Sequence, residues 1–414
     1  MDIGKRIYLC LAHMSGCEMD FINEAFEQNW VVPLGPNVDG FENDLEQFIG
    51  DNKKVVALSS GTAAVHLGLL EAGVKRDDEV IVQSFTFSAS VNPITYIGAT
   101  PVIVDSEPTT WNMDAELMEH AILDRIEKTG RKPAAIVPVH LYGMPAQMDE
   151  IMAVARKYDI PVVEDAAEGF GSRYKDRMCG AIGDYGVLSF NGNKMITTSG
   201  GGALVCPDDE SRKHVMFLAT QAREAYAYYQ HETIGYNYRL SNICAGIGRG
   251  QMTIVDDHLA HHRHVADFYR SAFADIDGIT FHDEPEDMES NFWLSTILLD
   301  ENLHSSGEEK VYQKSVAGAV GGAAGMVHEN NKIHTDCEPN ANVEAMRVAL
   351  DKAGVESRPL WKPMHRQPVF RNCPSYVNGV SDDLFRRGLC LPSGPMVGDE
   401  ELNYIVGIIK QSVC

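Results

Sequence analysis

Short apolar runs alternate with helix-like segments between about residues 54 and 206, and this alternation constrains the fold more than any other feature. One segment, 147–158, has its apolar residues at helical spacing. Strand-like runs are predicted at 54–58, 79–83, 101–105, 134–140, 160–164, 186–190 and 202–206. Strands separated by helices predict a mostly parallel sheet that is covered on both faces.

The pattern changes after about residue 258. A helix is predicted at 259–273, a strand at 292–299 and a helix at 400–411. We therefore expect a large domain, 15–258, and a smaller C-terminal domain, 259–414, with residues 1–14 packing near it. The segment 305–340 is rich in Gly, Ala, Ser and Asn, a composition that predicts a flexible loop.

Charge and cysteine content exclude several classes of protein. The 414 residues include 59 acidic and 35 basic side chains, and a formal net charge of -24 argues against nucleic acid as a partner. The sequence shows no apolar run of about 18 residues and no convincing secretory signal, so neither a membrane span nor export is expected. Nine scattered cysteines without a Cys-x-x-Cys pair favour reduced thiols and a cytoplasmic protein.

The motif Ser-Phe-Asn-Gly-Asn-Lys at 189–194 follows a predicted strand and ends in Lys194. A lysine that forms an imine must lose its proton, and small neighbours would let a flat cofactor approach the backbone. The alternative is a surface lysine in a polar turn.

Two further motifs lie at predicted strand ends. Asp165 closes an apolar strand, where a carboxylate can pair with a protonated pyridine nitrogen and keep that ring an electron sink. The alternative is an exposed acidic turn. The segment 59–64 begins a predicted helix, and the free N–H groups there suit a phosphate. The alternative is ordinary N-capping by Ser60.

These motifs form a constellation in chain order: a phosphate cradle, a ring-nitrogen partner and an imine-forming lysine. Lys194 follows Asp165 by 29 residues. A flat heterocycle with a phosphate and an aldehyde fits all three, so the sequence predicts pyridoxal 5'-phosphate (PLP), bound to Lys194.

The chain resembles the DegT/StrS-type sugar aminotransferases from about residue 7 to the C-terminus. The motifs that carry the resemblance are at 60–64, 85–92, 164–168, 189–194, 235–239 and 358–365. The resemblance implies an α/β protein of the type I (aspartate aminotransferase-like) fold, with a mostly parallel central sheet and a smaller C-terminal α+β domain. Segments 29–36, 191–194 and 361–365 resemble the branch that aminates UDP-linked 4-keto-6-deoxy-N-acetylhexosamines, as in bacillosamine-type pathways.

The resemblance also implies a set of site residues. The catalytic residues would be Lys194, Asp165 and Glu168. Cofactor-binding residues would be Gly61, Thr62, Ala63, Phe87, Asp165, Glu168, Ser189, Asn193, Lys194 and Asn237. Substrate-binding residues would be Trp30, Tyr238, Arg239, Trp361 and His365. Asn237 would reach the cofactor phosphate of a neighbouring subunit, which implies a homodimer with shared sites; the alternative is a turn residue.

Other assignments have alternatives of their own. Phe87 would lie over the pyridine ring, or else pack in the core. Glu168 would lie near the phenolic oxygen of the cofactor and carry a proton, because two adjacent negative oxygens repel; the alternative is a solvated turn. Without the resemblance, His365 would be structural. The segment His140-Leu-Tyr-Gly143 also follows a predicted strand, and packing at the strand end accounts for it.

The predicted reaction moves an amino group from an amino acid, by family analogy L-glutamate, to the keto carbon of a nucleotide-linked 4-keto-6-deoxy sugar, for amino-sugar and surface-glycan biosynthesis. One alternative is a PLP-dependent sugar dehydratase, but those relatives carry histidine in place of the lysine. The other is a non-catalytic PLP-binding regulatory protein. The sequence leaves open the nucleotide, the sugar and amination at C3 or C4.

A histidine group suggests one further possibility. His258, His261 and His262 share a helical face, a spacing that can bind a metal. We predict no metal site and interpret the segment as a solvated interdomain helix.

Overall fold

The computed structural model describes residues 6–305 and 337–413. The α-helices in these ranges are α1 (Glu18–Glu27), α2 (Pro36–Ile49), α3 (Gly61–Glu71), α4 (Asn92–Ile97), α5 (Ala115–Thr129), α6 (Met148–Lys157), α7 (Asp209–Ala219), α8 (Asn242–Met252), α9 (Val255–Phe273), α10 (Ala341–Lys352), α11 (Val380–Arg387) and α12 (Asp399–Ser412). Among them, none combines the length and apolar character that crossing a bilayer requires.

The strands in the same ranges are β1 (Lys54–Leu58), β2 (Glu79–Gln83), β3 (Thr100–Val104), β4 (Ala135–Val137), β5 (Val163–Asp165), β6 (Arg173–Tyr174), β7 (Arg177–Met178), β8 (Tyr185–Ser189), β9 (Gly202–Cys206), β10 (Ile279–Phe281), β11 (Met288–Glu289), β12 (Ser295–Leu299), β13 (Arg358–Pro359), β14 (Ser375–Tyr376) and β15 (Gly388–Leu391). Most strands of the main sheet are buried along nearly their whole length. This burial is typical of a sheet covered on both faces.

The main sheet has the order β3-β2-β4-β5-β8-β9-β1, with β14 beside β3. Two parallel bridges, Ile136 with Val162 and Val139 with Asp165, join its halves between β4 and β5. All neighbours are parallel except at β9, which runs antiparallel to both β8 and β1. The prediction of a mostly parallel sheet is confirmed, and the reversed strand was not foreseen.

A second sheet, β10-β12-β15-β13, is antiparallel and packs against α9, α10 and α12. Ile7, in the N-terminal segment, forms a parallel β-bridge with Val355. The expected boundary at residue 258 falls inside α9, and we keep the division into two domains as a proposal. Of the predicted flexible segment, residues 306–336 lie outside the described ranges.

Predicted and observed elements differ mainly at their ends. The strand at 202–206 matches β9, and the helix predicted at 147–158 matches α6 within one residue at each end. The strand predicted at 134–140 stops at Val137, because the following Pro138 has no N–H to donate to a neighbouring strand. The strand predicted at 292–299 begins only at Ser295, because Phe292 has a left-handed backbone with φ 46°.

The sheet brings the predicted chemistry to one edge. Strands β5 and β8 are parallel neighbours, and they end at Asp165 and Ser189 respectively. Near the start of β8, Gly186 lies so close to the preceding turn at Gly180 that an added Cβ would sit 1.9 Å from the Gly180 carbonyl oxygen. The start of β8 is therefore held against this turn by backbone packing that leaves no space for a side chain.

We predict that Gly186→Ala lowers the free energy of unfolding of the cofactor-free protein by more than about 2 kcal/mol, because backbone must move to admit the methyl group. Urea unfolding followed by circular dichroism measures this change. Gly200→Ala is the matched control, since a Cβ there meets nothing within 4 Å. Equal midpoints for the two variants would contradict the close packing.

Candidate active site

Lys194 lies in the turn that follows β8, where its backbone N–H donates to the Asn191 carbonyl. Its side chain is 13% exposed, and Nζ is 3.4 Å from Glu168 Oε1. The same Nζ lies 3.9 Å from the centroid of the Trp293 ring. The alternative of a surface lysine in a polar turn is therefore wrong, because the amine is largely buried between Glu168 and Trp293.

Asp165 is the last residue of β5 and is only 4% exposed. Its Oδ2 accepts from the Ser90 hydroxyl at 2.7 Å, and its Oδ1 accepts from the Ala167 N–H at 3.1 Å. Burial raises the pKa of Asp165, while the two hydrogen bonds and the nearby charge of Lys194 act against that rise. The alternative of an exposed acidic turn is wrong.

Glu168 is also buried, so the solvated-turn alternative is wrong. Its Oε2 accepts from the Tyr142 backbone N–H at 2.7 Å, while Oε1 faces Lys194. Burial raises the pKa of Glu168, the Lys194 charge lowers it, and the Asp165 charge raises it. A carboxyl group in this position can hold a proton near neutral pH more readily than an exposed one.

The start of α3 forms a narrow cradle beside β8. The Ser60 hydroxyl accepts from the Ala63 N–H at 3.0 Å, so the predicted N-cap is present. A Cβ on Gly61 would sit 3.0 Å from Ser189 Cβ, and one on Gly202 would sit 2.4 Å from the Gly61 nitrogen. Backbone N–H groups at the start of α3 thus lie close to the Ser189 hydroxyl, an arrangement that suits a phosphate.

Aromatic side chains line the pocket on the side of the second sheet. Trp361 is central: its ring centroid lies 4.9 Å from that of Tyr142, 5.4 Å from Phe87 and 6.3 Å from Trp293. We call Phe87, Tyr142, Trp293 and Trp361 the aromatic wall. Phe87 is 55% exposed, so the alternative of core packing is wrong for this residue.

Other predicted site residues have partners elsewhere in the chain. Arg239 is buried and forms an ion pair with Glu42 at 2.5 Å. The Tyr238 hydroxyl lies 3.2 Å from His66 Nδ1. The Trp30 carbonyl accepts from the Asn242 side chain at 3.0 Å. The roles of Arg239, Tyr238 and Trp30 toward substrate stay predictions.

His365 lies between the two parts of the molecule. Its Nδ1 is 2.7 Å from the Ser84 hydroxyl, and its Nε2 is 3.2 Å from Asp382 Oδ1. These contacts and its 6% exposed side chain agree with the structural alternative. Asn237 is exposed. The Asn193 carbonyl accepts from the Trp293 indole N–H at 2.6 Å.

Four residues at the site were missed at the level of sequence. The Ser90 hydroxyl donates to Asp165, and the Tyr142 backbone N–H donates to Glu168. The ring of Trp293 covers the Lys194 amine. Asn291 Oδ1 accepts from the Trp293 backbone N–H. Ser90 lies inside the 85–92 motif, which could have identified it. Tyr142 lies in the 140–143 segment, for which packing at a strand end was predicted. Asn291 and Trp293 come from a distant segment with no distinguishing pattern.

One buried cluster in the described part of the chain has the composition of a metal site: His140, Glu164 and Cys179. Its ligand atoms are engaged, since His140 Nε2 meets Glu164 Oε1 at 2.8 Å and His140 Nδ1 accepts from the Ala146 N–H. Glu164 also accepts three backbone N–H bonds, and the bonds from His140 and this backbone lower its pKa despite its burial. The His140–Glu164 contact joins the segment that follows β4 to β5, next to Asp165.

The interpretation of α9 as a solvated helix is wrong for two of its histidines. His258 and His262 are buried, and their Nδ1 atoms meet the carbonyl oxygens of Met195 and Phe292. The apolar segments packed around α9 exclude water from that face.

The pocket fits PLP by the chemistry of its groups. The α3 cradle offers N–H and hydroxyl donors for a phosphate. Asp165 is a buried carboxyl group whose charge lacks a full partner, which a pyridinium N–H would supply. Lys194 offers the amine, and the exposed face of Phe87 offers a surface for a flat ring.

A model of the DegT/DnrJ/EryC1/StrS aminotransferase family matches residues 14–336 and 310–410. The chain belongs to this family. It is therefore a PLP-dependent aminotransferase, and the non-catalytic alternative is wrong. The predicted cofactor is likewise confirmed.

Relatives of this aminotransferase align over nearly its whole length. It is 42% identical to the putative pyridoxal phosphate-dependent aminotransferase EpsN of Bacillus subtilis over 98% of this chain and 95% of that protein. It is 33% identical to the GDP-perosamine synthase of Escherichia coli O157:H7, over 96% of each.

Solved structures agree with the predicted fold. A DegT DnrJ EryC1 StrS aminotransferase from Brucella abortus superimposes with a TM-score of 0.81 and 26% identity, over 96% of this chain and 95% of that one. The PLP-form of the putative sugar aminotransferase Spr1654 from Streptococcus pneumoniae gives a TM-score of 0.81 and 25% identity, over 98% of each chain. The type I α/β fold of this aminotransferase is confirmed.

PLP binding should weaken as the pH falls, and we predict that in Ser90→Ala this weakening begins at a higher pH than in wild type. The Ser90 hydrogen bond lowers the pKa of Asp165, so its removal raises that pKa, and the carboxylate that pairs with the ring is lost earlier as the pH falls. At pH 6 the dissociation constant should rise about tenfold, the effect of one hydrogen bond to a charged group. Equilibrium titration of cofactor-free protein with PLP between pH 5 and 8 measures it. Ser88→Ala, in the same turn, is the control, and identical profiles for the two variants would contradict the role of Ser90.

Proposed function

We propose that Lys194 binds PLP covalently and that the enzyme moves an amino group from L-glutamate to the keto carbon of a nucleotide-linked 4-keto-6-deoxy sugar. The observation that carries the proposal is the contact of the buried Lys194 amine with Glu168, beside the buried carboxyl group of Asp165. The cofactor, when bound, supplies an electron sink for the bond-breaking step.

The three polar side chains divide the work by position. Asp165 keeps the ring nitrogen protonated by pairing with it. Lys194, once released from the cofactor, takes the proton from the α-carbon of the donor and later returns it to a neighbouring atom. Glu168 holds a proton beside the phenolic oxygen, which prevents two negative oxygens from facing each other.

The substrate class is supported by the names of relatives. Two are GDP-perosamine synthases from Escherichia coli and Caulobacter vibrioides, and one is the spore coat polysaccharide biosynthesis protein SpsC of Bacillus subtilis. These names support a nucleotide-linked sugar and a role in surface-glycan synthesis. We keep the UDP-linked N-acetylhexosamine branch as the proposed substrate class, with GDP-linked sugars as the competing one.

We also propose a homodimer with shared active sites, working in the cytoplasm on small molecules. Several large apolar side chains are exposed, among them Phe87, Tyr96, Tyr229 and Ile234, of which the last two are 78% and 80% exposed. We propose that these side chains belong to one contiguous patch, because a contiguous exposed apolar patch commonly marks a protein interface. Asn237 is close in sequence to Ile234, and its exposed amide is the group proposed to reach the cofactor phosphate of the partner subunit.

Lys194→Ala should abolish both turnover and the visible absorbance of the bound cofactor, because Nζ is the amine that lies beside Glu168 and would form the imine. Absorbance spectra and a coupled assay for 2-oxoglutarate measure the two effects. Lys213→Ala, at an exposed lysine, is the control. Sustained turnover by Lys194→Ala would contradict the assignment.

The substrate proposal is tested with L-glutamate and a panel of UDP-, GDP- and dTDP-linked 4-keto-6-deoxy sugars. Mass spectrometry detects the aminated product, and NMR locates the new amine at C3 or C4. We expect the UDP-linked N-acetylhexosamines to react at least tenfold faster, by kcat/KM, than the others. Faster reaction with a GDP sugar would overturn the branch assignment while leaving the reaction class intact.

Mixed dimers test the shared site. Asn237→Glu should prevent PLP binding by placing a negative charge against the phosphate of the partner's cofactor. This variant and Lys194→Ala are mixed, mildly unfolded and refolded together. In each mixed dimer, one of the two sites then combines an intact Lys194 from one subunit with an intact Asn237 from the other. Activity should return to about a quarter of wild type, the statistical share for random pairing. No gain on mixing would place Asn237 within its own subunit's site.

A further inference from the structure

The Lys194 amine has a second neighbour that no part of the proposed reaction uses. Its Nζ lies 3.9 Å from the centroid of the Trp293 ring, on the face of the indole. This distance is well inside the range in which an ammonium group and an aromatic face attract each other. The attraction acts on the ammonium and only weakly on a neutral amine, so the indole distinguishes the two forms of the lysine.

Two hydrogen bonds hold Trp293 in this position, one from its ring and one from its backbone. Its indole Nε1–H donates to the Asn193 carbonyl at 2.6 Å, and its backbone N–H donates to Asn291 Oδ1 at 2.8 Å. Trp293 is 3% exposed, so water does not compete for its face. The first bond ends on the residue that precedes Lys194, which fixes the ring relative to the lysine itself.

The anchor of Trp293 is itself rigid. Asn291 is 2% exposed, and its Nδ2 donates to the carbonyl oxygens of Glu168 and Phe170. Its backbone N–H donates to the Ser172 hydroxyl at 2.9 Å. The side-chain amide of Asn291 therefore joins the backbone of Trp293 to the backbone of Glu168, whose carboxyl group also contacts the lysine.

We propose that the Trp293 indole stabilises the ammonium form of Lys194 whenever that amine is released from the cofactor, and that Trp293 is thereby a catalytic residue of proton transfer. In that step the C–H bond at the donor α-carbon breaks, an N–H bond forms on Lys194, and the electron pair of the C–H bond passes into the cofactor ring. The indole favours the state in which Lys194 carries the proton. This inference rests on the proposed role of Lys194.

The charged and titratable groups that face Lys194 set the context for the effect. Glu168 and Asp165 are the acidic groups, and the buried Cys10 thiol lies near both Lys194 and Trp293. Burial raises the pKa of Cys10 to about 12, so the thiol stays neutral at ordinary pH and does not compensate the ammonium. The indole face is thus an uncharged contact that stabilises the lysine cation in addition to the carboxyl groups.

The test uses chemical labelling of the cofactor-free protein, which does not depend on turnover. Trace acetylation followed by peptide mass spectrometry gives the rate at Lys194 relative to the exposed Lys213 in the same tube. We expect Trp293→Leu to label about fivefold faster than wild type at pH 8, the equivalent of about 1 kcal/mol. Trp293→Phe keeps an aromatic face, so its labelling rate at Lys194 should stay within about twofold of the wild-type rate.

Measurement at pH 8, and again at the high pH where the labelling rate of Lys194 no longer rises, separates binding of the proton to Lys194 from access of the reagent to the amine. If the indole stabilises the ammonium, the variant and wild-type rates converge as the amine loses its proton. If the indole only shields the amine, Trp293→Leu labels faster by the same factor at both pH values, and that result overturns the proposal. Equal rates at pH 8 overturn it too.

A second measurement connects the labelling to catalysis. In single-turnover reaction with L-glutamate, Trp293→Leu should slow the first half-reaction about fivefold while the glutamate concentration at half-saturation stays unchanged. A change confined to half-saturation would assign Trp293 to donor binding and contradict the proposal. Failure of glutamate to react even with wild type would reject the proposed donor, whereas the labelling result would still decide the role of Trp293.

Discussion

Burial of a lysine together with two carboxyl groups is the constraint on which the site depends. Lys194 contacts Glu168, and both carboxyl groups have pKa values raised by loss of water. One ammonium group could not balance two buried carboxyl groups if both were ionised, and unpaired buried charge is costly. A flat cofactor with a cationic ring nitrogen offsets this imbalance, which is why the arrangement suits PLP and would be unfavourable as a purely structural cluster.

The rest of the fold holds these groups in place. Parallel strands β5 and β8 end side by side and deliver Asp165 and Ser189 to one edge. Ser90, Tyr142 and Asn291 then fix the carboxyl groups and their backbone with short hydrogen bonds. Tyr142 reaches Glu168 from a left-handed backbone with φ 55°, a conformation that a bulky residue adopts only when its surroundings require it.

Sequence could predict the parts of this structure that depend on local pattern. Apolar runs located the main-sheet strands, and the chain order of motifs brought Lys194 and Asp165 together. The reversed direction of β9 was not predictable, because a buried strand has the same pattern in either direction. Trp293 was missed because it contacts Lys194 and Asn193, which lie about a hundred residues earlier in the chain, and no local pattern marks such a contact. The buried ion pair of Arg239 was also missed, since its partner Glu42 lies in a helix far from any motif.

Reduction of the PLP-loaded enzyme with borohydride tests the central claim most directly. Borohydride converts an imine between lysine and cofactor into a stable bond, and peptide mass spectrometry then locates the added pyridoxyl group. The account predicts one pyridoxyl group per chain, on Lys194. A pyridoxyl group on another lysine, or none on a chain that contains bound PLP, would contradict it.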